Sequence, residues 1–371
     1  MASGPAHYAG RNRRERTMDF GVSFATAAEH WKTVKRAEAL GFDYAWFSDT
    51  QLLNADVFVA MAAAAMETSR IRLGTAVAVP SNRIAPVTAN ALASLNKLAP
   101  GRIDFGISTG FTARRTMGRG AVPLAGMAQY IEVVKGLLDG DTVAWSDAEG
   151  TSRIRFLNPE HGLVNIDDPV RFHVSALGPR GRRLTARIGA GWMSAVGNLD
   201  RAAADAADMR DAMREAGRDP AGLYATAITG GCVLAEGEAY DSPRAKALAG
   251  PAAAVVLHNL VEQEQFGSIR LDLPGPLAPL LERYRALYRG YTPEDARYLT
   301  LHRGHLLFLR PDEAPLITAD LIRNATVTGT KAQLRESIRA LEQAGFTQFS
   351  CHIRFGHEET LDEWAEVIAG L

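Results

Sequence analysis

The stretch IRLGTAVAVPSNRIAPVTANALASLNKLAPGRIDFGISTG, residues 71–110, decides the fold. Two short apolar runs, 71–79 and 102–108, flank one amphipathic segment, 85–98. Strand, helix, strand is the parallel crossover unit, because parallel strands need a long connection between them. Small residues gather where the strands end: Gly74, Thr75 and Ala76 in the first, then Ser108, Thr109 and Gly110 after the second. In a parallel α/β barrel the loops after the strands meet on one face and build the active site. Small residues there let a flat ligand lie against the backbone.

The same alternation runs outward in both directions. Upstream, a strand at 19–24 (DFGVSF) leads to a helix at 29–40 that Gly41 ends. A second strand, 43–47, closes on Ser48-Asp49-Thr50-Gln51, and an alanine-rich helix at 55–68 follows, with Asn54 as its expected cap. Downstream, 111–122 is a loop with three arginines and 124–138 a helix; the polar, broken segment 142–168 reads as a surface hairpin. Strands at 170–176, 191–196 and 223–234 alternate with helices at 182–188 and 200–216. Regularity then fails over 236–320, a mostly helical insertion broken by prolines, among them Pro251, Pro274 and Pro311. A helix at 328–344, a strand at 346–353 and a helix at 360–371 restore it. Eight strands alternating with helices predict an α/β fold, a (β/α)8 TIM barrel carrying a surface hairpin and a long helical insertion before the last βα unit. An open doubly wound sheet is the runner-up, but no Gly-x-Gly-x-x-Gly follows the first strand.

Composition narrows the function classes. The chain of 371 residues is 47% hydrophobic and 22% charged, enough apolar material for a large core. Lysine and arginine number 41 against 42 aspartate and glutamate, so no global field attracts nucleic acid or an anionic membrane. Residues 1–17 are polar, hold the one basic run and read as a disordered tail; a single domain is expected over 18–371. The two cysteines, Cys232 and Cys351, form neither a disulfide framework nor a zinc spacing, so no metal is expected and a cytoplasmic setting is the default. The N-terminus lacks a signal-peptide core and no apolar run is long enough for a membrane span.

Several residues could carry chemistry. The loop from Ser175 to Gly181 joins a strand to a helix whose free N–H groups form a ready phosphate site, though an ordinary strand–helix turn has the same Gly and Pro content. Asn198, after the next strand, could close its other side. His302, Arg303 and His305 (LHRGH) could fold over the barrel mouth as a lid, or form a solvated helix face. His173 reads as a core histidine. Cys351 and His352 are strand neighbours that face opposite ways, which argues against a nucleophilic pair.

These pieces in their order resemble the luciferase-like flavin-dependent oxidoreductases, in particular the branch with methylenetetrahydromethanopterin reductase. The carriers are GFDYAWFSD from Gly41 to Asp49, SRIRLGTAV from Ser69 to Val77, PVTA from Pro86, GRIDFG from Gly101 and the loop from Ser175 to Gly181. The resemblance implies a TIM barrel binding flavin mononucleotide, or the deazaflavin F420, at the strand ends. It implies a ring system beside Thr75, Ala76, Ser108 and Thr109, a phosphate at Ala176, Leu177, Gly178 and Asn198, and a cis peptide between Ala76 and Val77. The second strand lacks the histidine-rich end of luciferases proper; Asp49 and Gln51 stand there instead, as candidates to orient substrate or flavin. The expected activity is a two-component monooxygenase, in which reduced FMN (FMNH2) from a separate flavin reductase and molecular oxygen oxidise a small organic substrate, with His302, Arg303 and His305 acting from the lid. The alternatives are F420-dependent hydride transfer and a flavin-free, non-catalytic barrel. A homodimer is implied; nucleic-acid and membrane partners are not.

Overall fold

The computed structural model describes residues 17–266 and 275–371. The basic run at 11–16 and Pro274 lie outside them. Eight parallel strands close a barrel: β1 (Asp19–Phe24), β2 (Tyr44–Phe47), β3 (Arg72–Ala78), β4 (Ile103–Ile107), β5 (Arg171–Ser175), β6 (Gly191–Val196), β7 (Ala225–Thr229) and β8 (Gln348–His352). Each pairs with its neighbours in sequence, and β8 closes on β1 with Asp19 opposite Gln348. The strands are buried on both faces, which explains their unbroken apolar runs. Helices Trp31–Ala39, Val57–Glu67, Ala85–Leu98, Leu124–Leu138, Pro179–Ile188, Leu199–Glu215, Lys331–Gln343 and Thr360–Ala369 pack outside them.

The hairpin over 142–168 is the antiparallel pair Val143–Asp147 and Gly150–Ile154. The helical insertion contains Pro243–Phe266, Ala278–Arg289, Tyr298–Leu301 and Ala319–Ala325, around a second apolar core that includes Leu257, Tyr284, Leu301 and Ile317. Among the described residues no helix is long and apolar enough to cross a membrane.

Two local expectations need correction. The seventh strand does not run through to residue 234: β7 ends at Thr229, and Val233–Leu234 leaves the barrel to pair in parallel with Gly329–Thr330. The break falls at Gly230-Gly231, where Gly230 accepts a hydrogen bond from Val327 N at 2.9 Å and a Cβ at 231 would strike the Val327 carbonyl. The cap of Val57–Glu67 is Asp56, not Asn54: its carboxylate accepts from Phe58 N at 2.9 Å and Val59 N at 3.2 Å. Asn54 instead accepts from Ser48 Oγ at 3.2 Å.

The barrel interior is layered. Tyr44, Trp46, Met193 and Tyr224 form one buried cluster. Beside it Asp104 is fully buried, bonded to Arg72 Nε at 2.7 Å and accepting from His173 Nε2 at 2.8 Å. Burial alone would raise the Asp104 pKa, but Arg72 and His173 outweigh it and hold the carboxyl below its ordinary range. His173 is a core histidine, as its sequence position implied. The aromatic cluster and the Asp104 pair together form a plug in the buried barrel interior.

Candidate active site at the barrel mouth

A cavity of about 240 Å³ opens at the C-terminal strand ends. Its wall comes from five strand ends: Ala25 after β1, Ser48 and Asp49 after β2, Ala76 and Val77 in β3, Ser108 and Gly110 after β4, and Ser175 and Leu177 at the end of β5. The back wall is β3. Its pairing with β4 shifts register between Thr75 and Ala78, and the Ala76–Val77 peptide within that bulge is cis, where the resemblance had put it. Ala76 and Val77 pack against the aromatic plug on one side and line the cavity on the other. The shift needs Gly106 opposite it, since a Cβ there would fall inside contact distance of the Thr75 carbonyl oxygen.

The insertion supplies part of the wall. Asn259 from Pro243–Phe266 and His305 and Leu306 from the turn after Tyr298–Leu301 line the same cavity. So do Phe111, Thr112 and Ala113 in the short helix Phe111–Arg115, a segment expected to be plain loop. Thr112 Oγ1 lies 3.4 Å from His305 Nε2. Burial, with His302 and His258 adding to it, holds the His305 imidazole well below its ordinary pKa, so it is neutral at physiological pH.

Asp49 reaches the cavity, but it is not a free base. Arg83 Nη1 donates to its two oxygens at 3.1 and 2.9 Å, and Asn82 Nδ2 donates at 3.2 Å. Burial raises the Asp49 pKa and Arg83 opposes the shift. Gln51 lies behind the wall; its amide donates to the Ala113 carbonyl, and its buried Oε1 has no partner. Arg83 and Asn82 lie in the loop that follows β3 and carried no sequence signal.

The remaining candidates divide. His302 is buried behind the cavity with Nε2 donating to Glu262 at 2.9 Å, so the solvated-face reading of this segment fails for it and for His305. Arg303 is exposed and does not line the cavity, contrary to a lid role; the turn between the two histidines points it away. Thr75 is buried, its hydroxyl donating to the Gly106 carbonyl at 2.6 Å, which braces the bulge and leaves it off the cavity wall. Thr109 is half-buried, off the cavity wall, and its carbonyl accepts from Val122 N at 2.8 Å. Ala176 is buried and its carbonyl accepts from Trp192 Nε1 at 2.9 Å. Gly178 is the N-cap of Pro179–Ile188, directly after cavity residues Ser175 and Leu177. Asn198 is exposed, and its side chain accepts from Arg201 N at 3.0 Å as the cap of Leu199–Glu215.

The residues fit a flavin-class ring. Small-molecule sites typically enclose about 300–1,000 Å³, so this cavity suits a ring system better than a whole dinucleotide-sized coenzyme. Alanine, serine and glycine line it, its one carboxylate is neutralised, and a helix N-terminus with unpaired N–H groups starts at its edge.

The sequence matches the luciferase-like monooxygenase family profile over residues 5–348. The chain belongs to that family. Among its relatives, the 5,10-methylenetetrahydromethanopterin reductase of Archaeoglobus fulgidus is 29% identical over 210 residues, covering 53% of this chain and 61% of that protein. The F420-dependent glucose-6-phosphate dehydrogenase of Kineococcus radiotolerans is 31% identical over 179 residues, 44% of this chain and 50% of the relative. The chain thus spans under two thirds of these relatives' length. The coenzyme F420-dependent tetrahydromethanopterin reductase of Methanopyrus kandleri has the same fold, with a TM-score of 0.67 at 19% identity over 96% of this chain and 99% of that one. As a family member, the chain carries its signature over nearly the whole (β/α)8 barrel.

Proposed function

We propose that this luciferase-like protein transfers hydride between a small organic substrate and the deazaflavin F420. The observation that carries the reading is the cavity at the strand ends, backed by the Ala76–Val77 bulge, whose one carboxylate, Asp49, is engaged by Arg83 and Asn82. A site that leaves bond-making to a coenzyme needs its protein to bind and orient rather than to supply a strong base. Relatives near 30% identity, such as the F420-dependent glucose-6-phosphate dehydrogenase, favour the deazaflavin. When bound, it supplies two-electron hydride chemistry.

The protein's part is positional. Ala76, Val77 and Ser108 present a shallow wall for the ring, and the neutral His305 offers a hydrogen-bonding edge to substrate on the insertion side. Asn259, His305 and Leu306 cover the mouth and limit water. Of the three arginines after β5, Arg182 is committed to Asp205 at 3.0 Å and to Asp208, and Arg183 to Glu215 at 3.1 Å. An anionic coenzyme tail would therefore rely on the helix N-terminus at Gly178 and on the exposed Arg180.

The second reading is a monooxygenase using reduced FMN from a separate reductase, with oxygen as co-substrate. The family match and the covered mouth favour it. Equilibrium titrations with F420 and with FMN, each followed by coenzyme fluorescence, separate the two. Selective F420 binding supports hydride transfer. Selective FMN binding, with substrate-dependent oxygen uptake when reductase is added, moves the assignment to the monooxygenase. Binding of neither refutes both and leaves the flavin-free barrel.

A further inference from the structure

His258 from helix Pro243–Phe266, with His302 and His305 from the turn after Tyr298–Leu301, each bring one ring nitrogen to within 4.8 Å of the others. His258 Nε2 donates to Glu313 at 2.6 Å, and His302 Nε2 donates to Glu262 at 2.9 Å. A carboxylate only accepts, so Nε2 carries a proton in both rings, and in the neutral imidazole Nδ1 is then left as the nitrogen with a lone pair. The Nδ1 atoms of His258, His302 and His305 are all buried and have no hydrogen-bond partner. Buried polar atoms are ordinarily satisfied, so three orphans in one cluster call for an explanation.

The carboxylates behind the rings are themselves braced. Arg310 reaches Glu313 at 3.0 Å and the Tyr284 hydroxyl also donates to it; Arg115 reaches Glu262 at 3.0 Å. Rotating either ring to use Nδ1 elsewhere would break a buried charged contact. Neutral imidazoles whose far nitrogen donates to a carboxylate are the arrangement that orients histidines on a metal ion. Three nitrogen ligands suit a divalent transition metal and poorly suit calcium or magnesium, which take oxygen.

We propose that His258, His302 and His305 bind one divalent transition-metal ion of the zinc class through Nδ1, with Glu262 and Glu313 holding the rings in place. Because His305 also lines the coenzyme cavity, the metal site adjoins that cavity. The sequence showed no ligand spacing because His258 and the His302–His305 pair lie on separate helical segments that only the insertion's folding brings together. The proposal does not depend on which coenzyme binds.

The full chain, purified without a histidine tag and stripped with chelator, is titrated with Zn2+ alone and with Co2+ alone. The expected result is one equivalent of zinc retained through gel filtration and visible cobalt absorption characteristic of low-coordinate nitrogen ligation. His258→Gln and His302→Gln should each weaken zinc binding at least tenfold, whereas His161→Gln, on the exposed surface, should not. Wild-type protein that retains no zinc and shows no cobalt spectrum overturns the proposal without any variant. So does a folded His258→Gln/His302→Gln double variant that binds as wild type does.

Discussion

Asp104 is wholly buried between Arg72 and His173, and its effect on stability depends on charge. Replacing it with asparagine leaves Arg72 without its carboxylate in the barrel interior. Removing one partner of a buried pair costs about 3–5 kcal/mol, and Asp104→Asn should lose at least about 3 kcal/mol by that rule, measured by urea unfolding at neutral pH. The pH dependence has a defined sign. The carboxyl pKa is lowered in the folded state, so its contribution is complete above the ordinary carboxylate range and is lost as pH falls through the lowered value. The stability gap between wild type and Asp104→Asn should therefore shrink in acid. On the cavity wall, Ala76→Leu puts a larger side chain where the ring would lie. It should weaken coenzyme binding at least tenfold, about 1.4 kcal/mol, with little change in the unfolding midpoint. Asp49, Ala76 and Ser108 were legible as cavity residues because strand ends in a barrel converge. Arg83, which engages Asp49, was not, since nothing in a loop sequence says which carboxylate an arginine will meet.

The bulge between β3 and β4 joins local geometry to the site. A Cβ at Gly106 would meet both the Thr75 carbonyl and Met193 Sδ, so Gly106→Ala must displace β3. Overpacking of this kind costs about 1–3 kcal/mol, and the displaced wall should also weaken coenzyme binding; thermal unfolding and the binding titration read the two effects separately. At the far side of the insertion, Thr330 and Gln333 form a reciprocal cap for Lys331–Gln343. Thr330→Ala should cost about 1 kcal/mol in denaturant unfolding without affecting binding. The sequence placed this helix from residue 328 because its apolar face, Leu334, Ile338 and Leu341, is plain, whereas the exact start depends on the cap. Extension of the seventh strand to 234 failed for a related reason: the apolar run LYATAITGGCVL continues past Gly230-Gly231, and only the tertiary pairing with Gly329–Thr330 shows that the chain has left the barrel.

At the scale of the molecule, the barrel was readable because parallel strands buried on both faces leave uninterrupted apolar runs. The insertion was readable only as an interruption. Its helices build their own core around Leu257, Tyr284 and Ile317, and that core decides that His302 and His305 turn inward while Arg303 turns out. Three neighbouring residues thus meet three environments that no local rule separates. We propose that a flavin-class ring binds against the β3 bulge beneath the insertion. Amide hydrogen exchange of the full chain, with and without a saturating amount of whichever coenzyme it binds, tests that placement. Slowed exchange is expected at residues 76–79, 108–113 and 175–181, with further protection at the 302–306 turn. Protection confined to other parts of the chain, with these segments unchanged, would contradict it.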